Sequence, residues 1–229
     1  MVEPDFNSMT RIDWLGFTLL EPFTVLTDLV ITAVCIFGWF KLKERSKTEK
    51  VIWLLRWFLL TMGLATMVGG VLGHGLLYLT GMKGKIPGWY ISMVSVAFFE
   101  RAVIMHARPV LNKGMGNFFS WLNYVELAAF MVLAAVTLKF IYVELHAVYG
   151  LFIMAFSLEI FVYVKTRDKG SVYFFIATFF AAASAVSHAF RIGINEWFNH
   201  NDVSHIGMAI AVYFYYLGGK HLTVHLRKE

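Results

Sequence analysis

Residues 51–80 read VIWLLRWFLLTMGLATMVGGVLGHGLLYLT. Within this stretch only Arg56 and His74 readily carry a charge near neutral pH. A helix that crosses a bilayer needs about 20 mostly apolar residues. The stretch is long enough to cross with a tilt, so it sets lipid rather than water as the solvent for the chain. Composition agrees: 59% of residues are hydrophobic and 15% are charged, where a soluble domain carries about 25%.

Working outward, six further apolar stretches qualify as spans, predicting an all-α polytopic bundle of seven helices in one membrane domain over residues 1–229. Helix 1 is expected from Pro22 to Leu42, with proline at a helix start where its missing N–H costs nothing. Helix 2 is the quoted stretch, from Val51 to Thr80. Helix 3 starts near Pro87 and stops before Pro109. Helix 4 covers Phe118 to Leu138, helix 5 Ile141 to Val164 and helix 6 Ser171 to Ile194. Helix 7 covers Asp202 to Leu222, with Asn201 or Asp202 as its N-cap. No internal repeat or low-complexity segment is present.

Basic residues mark the cytoplasmic loops of membrane proteins. Under the seven-helix reading, thirteen fall on one side: Lys41, Lys43, Arg45, Lys47, Lys50, Arg108, Lys113, Lys165, Arg167, Lys169, Lys220, Arg227 and Lys228. Four fall on the other: Arg11, Lys83, Lys85 and Lys139. The asymmetry predicts an outside N-terminus and a cytoplasmic C-terminus in a cell membrane. The net charge of +5 therefore reads as a topology signal and not as an affinity for nucleic acid. Glu3, Asp5 and Asp13 make a poor positive region for a cleaved signal, so helix 1 is expected to act as the insertion signal. Cys35 is alone and can form no intrachain disulfide.

Ionisable groups within a span are costly and are usually retained for function. Glu21, Thr24 and Asp28 are spaced to share one face of helix 1 in its outer half. His74 falls near the outer end of helix 2, among glycines that favour close helix packing. Glu144 and His146 open helix 5. Ser184, His188 and Arg191 share one face of outer helix 6, with Arg191 available to neutralise Glu21 or Asp28. His200, Asn201, Asp202 and His205 open helix 7. Five histidines thus converge on the outer third of the bundle. Toward the cytoplasmic side lie Glu100, Arg101, His106, Glu159, His221 and His225, expected as a charged collar, and Glu126, expected to pair with Arg101 or Arg56.

Imidazoles and carboxylates on facing helices suit Zn²⁺ with one position open to water. Such a water becomes a nucleophile near neutral pH, and a neighbouring carboxylate can accept its proton. The expected metal ligands are His74, His205, His188 and Asp202, with Asp28, Glu21 and Asp202 as acid–base groups. Glu21 and Asp28 also offer the oxygens that Ca²⁺ prefers. Two histidines could instead hold a b-type haem, or the polar path could bind a ligand or relay ions without catalysis. Lys220 lies too near the cytoplasmic end of helix 7 for a buried retinal Schiff base.

The arrangement resembles the CREST superfamily of alkaline ceramidases and adiponectin-receptor-like proteins. The likeness rests on the acidic opening Glu21-Pro-Phe-Thr-Val-Leu-Thr-Asp28, on Gly73-His74-Gly75, and on Asn201-Asp202-Val-Ser-His205. It implies a seven-helix fold and zinc-dependent hydrolysis of a lipid amide that enters from the membrane, with membrane lipids as neighbours. Three positions depart from the family pattern. Gly70 stands where a serine is expected, Asn201 where the first helix 7 histidine is expected, and Lys85 where an aspartate is expected.

Overall fold

The computed structural model describes residue 6 and residues 9–223. Glu3, Asp5, His225, Arg227 and Lys228 lie outside the described residues. The chain opens with an antiparallel hairpin of β1 (Arg11–Trp14) and β2 (Phe17–Leu20), with Arg11 opposite Leu20. Its two-residue turn places Leu15 and Gly16 at positive φ, the geometry that matches the twist of hairpin strands.

Six helices are long and apolar enough to cross a membrane. They are α1 (Pro22–Lys41), α2 (Lys50–Gly75), α3 (Met82–Val110), α4 (Lys113–Thr137), α5 (Ile141–Thr166) and α6 (Lys169–Ala189). A further helix, α7 (His200–His221), is 22 residues long. One helical turn, Leu77–Thr80, follows α2. The predicted helices are all present, with shifted ends.

Helix 6 is the largest departure. It stops at Ala189, because Arg191 adopts a left-handed φ of 51° that an α-helix cannot contain. Arg191 is therefore exposed in the following turn and does not share a helix face with His188. The α7 N-cap is Asn199, upstream of the expected Asn201 or Asp202. Its side chain accepts the Asn201 amide at 2.8 Å, while Asp202 accepts the Asn199 amide at 2.7 Å in a reciprocal capping box.

Two helices widen to π winding, α2 over Gly69–Gly75 and α5 over Tyr149–Phe156. Wide turns of this kind are frequent at functional sites.

α3 is the most buried of the six spans and α4 the least. α3 packs against α2, α4 and α5, α1 against α2 and α7, and α6 against α7. The core is a knot of rings in which Phe99 of α3 lies 4.4 Å from Tyr215 and 5.1 Å from Phe58. Large apolar side chains such as Trp121, Val132 and Val136 are exposed along α4. In water such a patch would promote aggregation; facing acyl chains, it is the expected surface. On the side where the basic residues gather, Arg45 donates to the Gly219, Lys220 and Leu222 carbonyls at 2.8, 2.7 and 3.0 Å. It thereby satisfies orphan acceptors at the end of α7.

The expected collar separates into buried pairs. Glu126 of α4 bonds His146 of α5 at 2.8 Å and not Arg101 or Arg56. Arg101 donates to the Ser120 carbonyl and stacks on Tyr124, while Arg56 bonds the Trp39 carbonyl and Ser46. A helical sequence shows which residues share its own face, but not which neighbouring helix they meet. His106 of α3 bonds Glu159 of α5 at 2.8 Å, and Ser171 of α6 donates to the other Glu159 oxygen.

Candidate functional site: a polar pocket beside the hairpin

The site forms where the hairpin meets α1. Glu21 sits at the α1 N-cap with a left-handed φ of 43°, a conformation that costs a non-glycine residue roughly 1–2 kcal/mol. Its amide is held by the Thr10 carbonyl at 2.8 Å. This geometry accompanies a carboxylate that reaches His74 Nδ1 at 2.8 Å. Glu21 lies just outside the first span. Burial alone would raise its pKa, but the His74 hydrogen bond and charge, with Lys85 and His200 nearby, hold it below the ordinary value. An ionised Glu21 accepts only, so Nδ1 of His74 is the donor, and in the neutral ring the lone pair then falls on Nε2.

His205 is held in a parallel way. The Thr27 hydroxyl lies 3.0 Å from the Thr24 carbonyl, 3.0 Å from His205 Nδ1 and 3.4 Å from Asp202 Oδ1. It has one proton, and the carbonyl can only accept. We assign that proton to the carbonyl, so His205 Nδ1–H donates to Thr27 and Nε2 again carries the lone pair. The Nε2 lies 3.7 Å from Asp28 Oδ1. Asp28 is 5% exposed.

The two imidazole centroids are 6.3 Å apart, with the rings nearly perpendicular. A cavity of about 140 Å³ opens between them. Asp28, His74, His205 and Lys85 form its polar wall, and Trp89 and Phe140 an aromatic one. Gly70 lets α2 approach α1 here, since a Cβ at that position would sit 2.8 Å from the Asp28 Cβ. The serine expected by the resemblance has no room while Asp28 occupies that place.

The remaining candidates lie around this centre. Asp202 is fully buried and serves the capping box. His188 pairs with Glu144 at 2.8 Å and stacks near His200, with roughly a third of each side chain in the pair exposed. It meets the cavity only through Phe140, 5.8 Å from its ring. His146 is fully buried in its own network, away from the outer group. Arg191 forms no ion pair with Glu21 or Asp28; it borders a shallow groove with Asn195, Asn199 and His200. Lys85, Trp89 and Phe140 were not expected from sequence as lining groups, nor Thr27 as the partner of His205. Only the charge on Lys85, close to a predicted helix end, offered any signal.

Zinc takes donors of these types, and each imidazole is backed through Nδ1 as ligating histidines are. The spacing does not fit. Two imidazoles on one tetrahedral zinc bring their centroids to about 5 Å, closer than the 6.3 Å found. Among the described residues, no three His, Cys, Asp or Glu side chains form a ready metal-binding group.

No curated protein and no solved structure matches this chain. One family does, over residues 23–224, a range that holds every residue lining the cavity. The chain belongs to that family, described as a family of unknown function (DUF6962).

Proposed function

We propose that the outer pocket binds the polar head of a lipid-like molecule whose tail lies against the bundle surface. The observation that carries this reading is the pairing of a polar wall, Asp28, His74, His205 and Lys85, with the aromatic wall of Trp89 and Phe140 in one cavity. At about 140 Å³ the cavity is well below the roughly 300–1,000 Å³ of sites that enclose a whole ligand. It suits a headgroup. Lys85 offers an amino group and Asp28 a carboxyl group, and in the neutral rings each Nε2 can accept a hydrogen bond from a hydroxyl or amide group.

The test is mass spectrometry of lipids that copurify with the protein. Phe140→Trp should fill the aromatic side of the cavity and lose a lipid class that the wild type retains. No enrichment over an unrelated membrane protein solubilised in parallel would reject the reading.

A second reading is a hydrolase of lipid amides that recruits zinc. Its support is the backing of His74 by Glu21 and of His205 by Thr27, which leaves both Nε2 lone pairs and Asp28 as donors. Bound zinc would supply a Lewis acid and an acidified water, and the two rings would first have to close by about 1 Å. About one zinc per chain, lost in a His74→Ala/His205→Ala variant, would favour this reading over simple binding. Its absence from well-folded protein would sink it.

We also infer seven spans in a cell membrane, with the N-terminus outside. α7 is about 33 Å long at 1.5 Å per residue, and its contacts with α1 and α6 let its polar residues face protein instead of lipid. In a Cys35→Ser background, Lys83→Cys should react with an impermeant maleimide on intact cells. Lys43→Cys should react only after permeabilisation. The reverse pattern would invert the topology.

A further inference from the structure

α3 carries a second polar centre deeper in the bundle. Glu100 lies about 12 Å along the helix from Ser92, a residue of the outer cavity wall, and about 9 Å before His106. It is fully buried, and neither carboxyl oxygen makes a well-formed hydrogen bond. Glu126 Oε1 is buried without a partner as well. The charged and titratable groups facing Glu100 are Glu126 of α4, Tyr149 of α5 and its own neighbour Arg101, with the Asn123 amide beside it. Arg101 is committed to the Ser120 carbonyl and the Tyr124 ring. Beside the carboxyl, Gly150 lies in the wide turn of α5, where a Cβ would come 3.4 Å from Glu100 Oε2.

His146 fixes the proton count. Its Nε2 lies 2.9 Å from the Met93 carbonyl, which can only accept, so Nε2 carries a proton. The 2.8 Å contact of its Nδ1 with Glu126 Oε2 must then hold one proton of its own, on either atom. Glu100 has no partner and Glu126 has one on a single oxygen, so the two carboxyl groups, side by side in a medium that penalises charge, cannot both stay ionised.

We propose that Glu100 and Glu126 form a proton-binding site within the membrane, with Glu100 holding a proton that exchanges through Glu126 and His146. A proton leaving Glu100 goes to Glu126 Oε1, while the one between Glu126 Oε2 and His146 Nδ1 passes to the imidazole. The three groups then carry −1, 0 and +1, with no proton gained or lost.

Infrared spectroscopy of the full chain in nanodiscs tests this. At pH 7 the wild type should show the C=O stretch of a protonated carboxylic acid that shifts in D₂O and is missing in Glu100→Gln. Glu144→Gln, at the partly exposed His188 pair, should keep it. Should Glu100→Gln fail to fold, Glu100→Asp, which retains a carboxyl, must keep a D₂O-sensitive band at an altered frequency. A wild type without the band, a band unchanged in Glu100→Gln, or one that never shifts in D₂O would overturn the proposal.

Discussion

Asp28 rests on Gly70: a side chain begun at position 70 would start 2.8 Å from the Asp28 Cβ and 3.1 Å from its Oδ2. The two positions are coupled sterically, and α1 and α2 can meet at this depth only because one of them lacks a Cβ. Gly70→Ser should therefore destabilise the protein by about 1–3 kcal/mol, the usual cost of overpacking. Gly70→Ser/Asp28→Gly should recover much of that loss. Thermal unfolding of both variants in detergent checks it, and equal melting points for wild type and Gly70→Ser would refute the coupling.

Gly88 offers a second close approach, with fewer ways out. A Cβ there would lie 3.1 Å from the Gly69 Cα and 3.2 Å from its nitrogen. Backbone, unlike the tip of a side chain, cannot swing aside. Gly88→Ala should push the start of α3 away from the wide turn of α2, enlarge the cavity and cost about 1–3 kcal/mol. Unfolding and lipid retention should change together.

Glu21 and His74 should behave as a unit. Glu21→Gln retains an oxygen that can accept from Nδ1 and should be mild. Glu21→Ala leaves the buried donor unsatisfied, at about 1–3 kcal/mol. A double-mutant cycle with His74→Ala should give a coupling of about 0.5–3 kcal/mol. Strict additivity of the two single losses would show that the pair does not act as one.

Asp168, between α5 and α6, gives a pH signature. Burial alone would raise its pKa, but the Thr223 hydroxyl and amide, His106 and the Gly170 amide outweigh burial and hold it below the ordinary value. A carboxyl whose pKa is lower folded than unfolded stabilises the fold above its unfolded pKa of about 3.9. That contribution disappears as pH falls through the folded value. The stability gap between wild type and Asp168→Ala should be level near pH 7, include about 0.5–2 kcal/mol for the lost cap, and shrink below about pH 4. A gap that widens in acid would contradict the assignment.

The spans were legible because crossing lipid demands long apolar runs, and lipid leaves few alternatives to a helix. The opening hairpin was not: its turn is Leu15-Gly16, without the Asn-Gly or Asp-Gly pair that usually announces one. The end of helix 6 was missed because nothing in the residue type of Arg191 signals a left-handed backbone. His74, His205, Asp28 and Glu21 were legible as a group, since helix direction gives each an approximate depth. The partner of Glu126 was not, because depth alone leaves open which neighbouring helix a side chain meets. The role of Gly70 lies equally outside pattern reading, since it depends on the approach of a second helix.

The wide turn at Gly69–Gly75 has a consequence for how the chain can vary. Each residue of an α-helix advances about 100° around the axis, so an extra residue absorbed by looser winding acts as a phase shift. His74 points at Glu21 because the helix has slipped its register just before it. Tightening this segment to ordinary winding without removing a residue would turn the imidazole roughly a quarter of the way round, with no chemical group lost. The pocket is thus encoded as much in the winding of the helix ahead of His74 as in the identities of its residues.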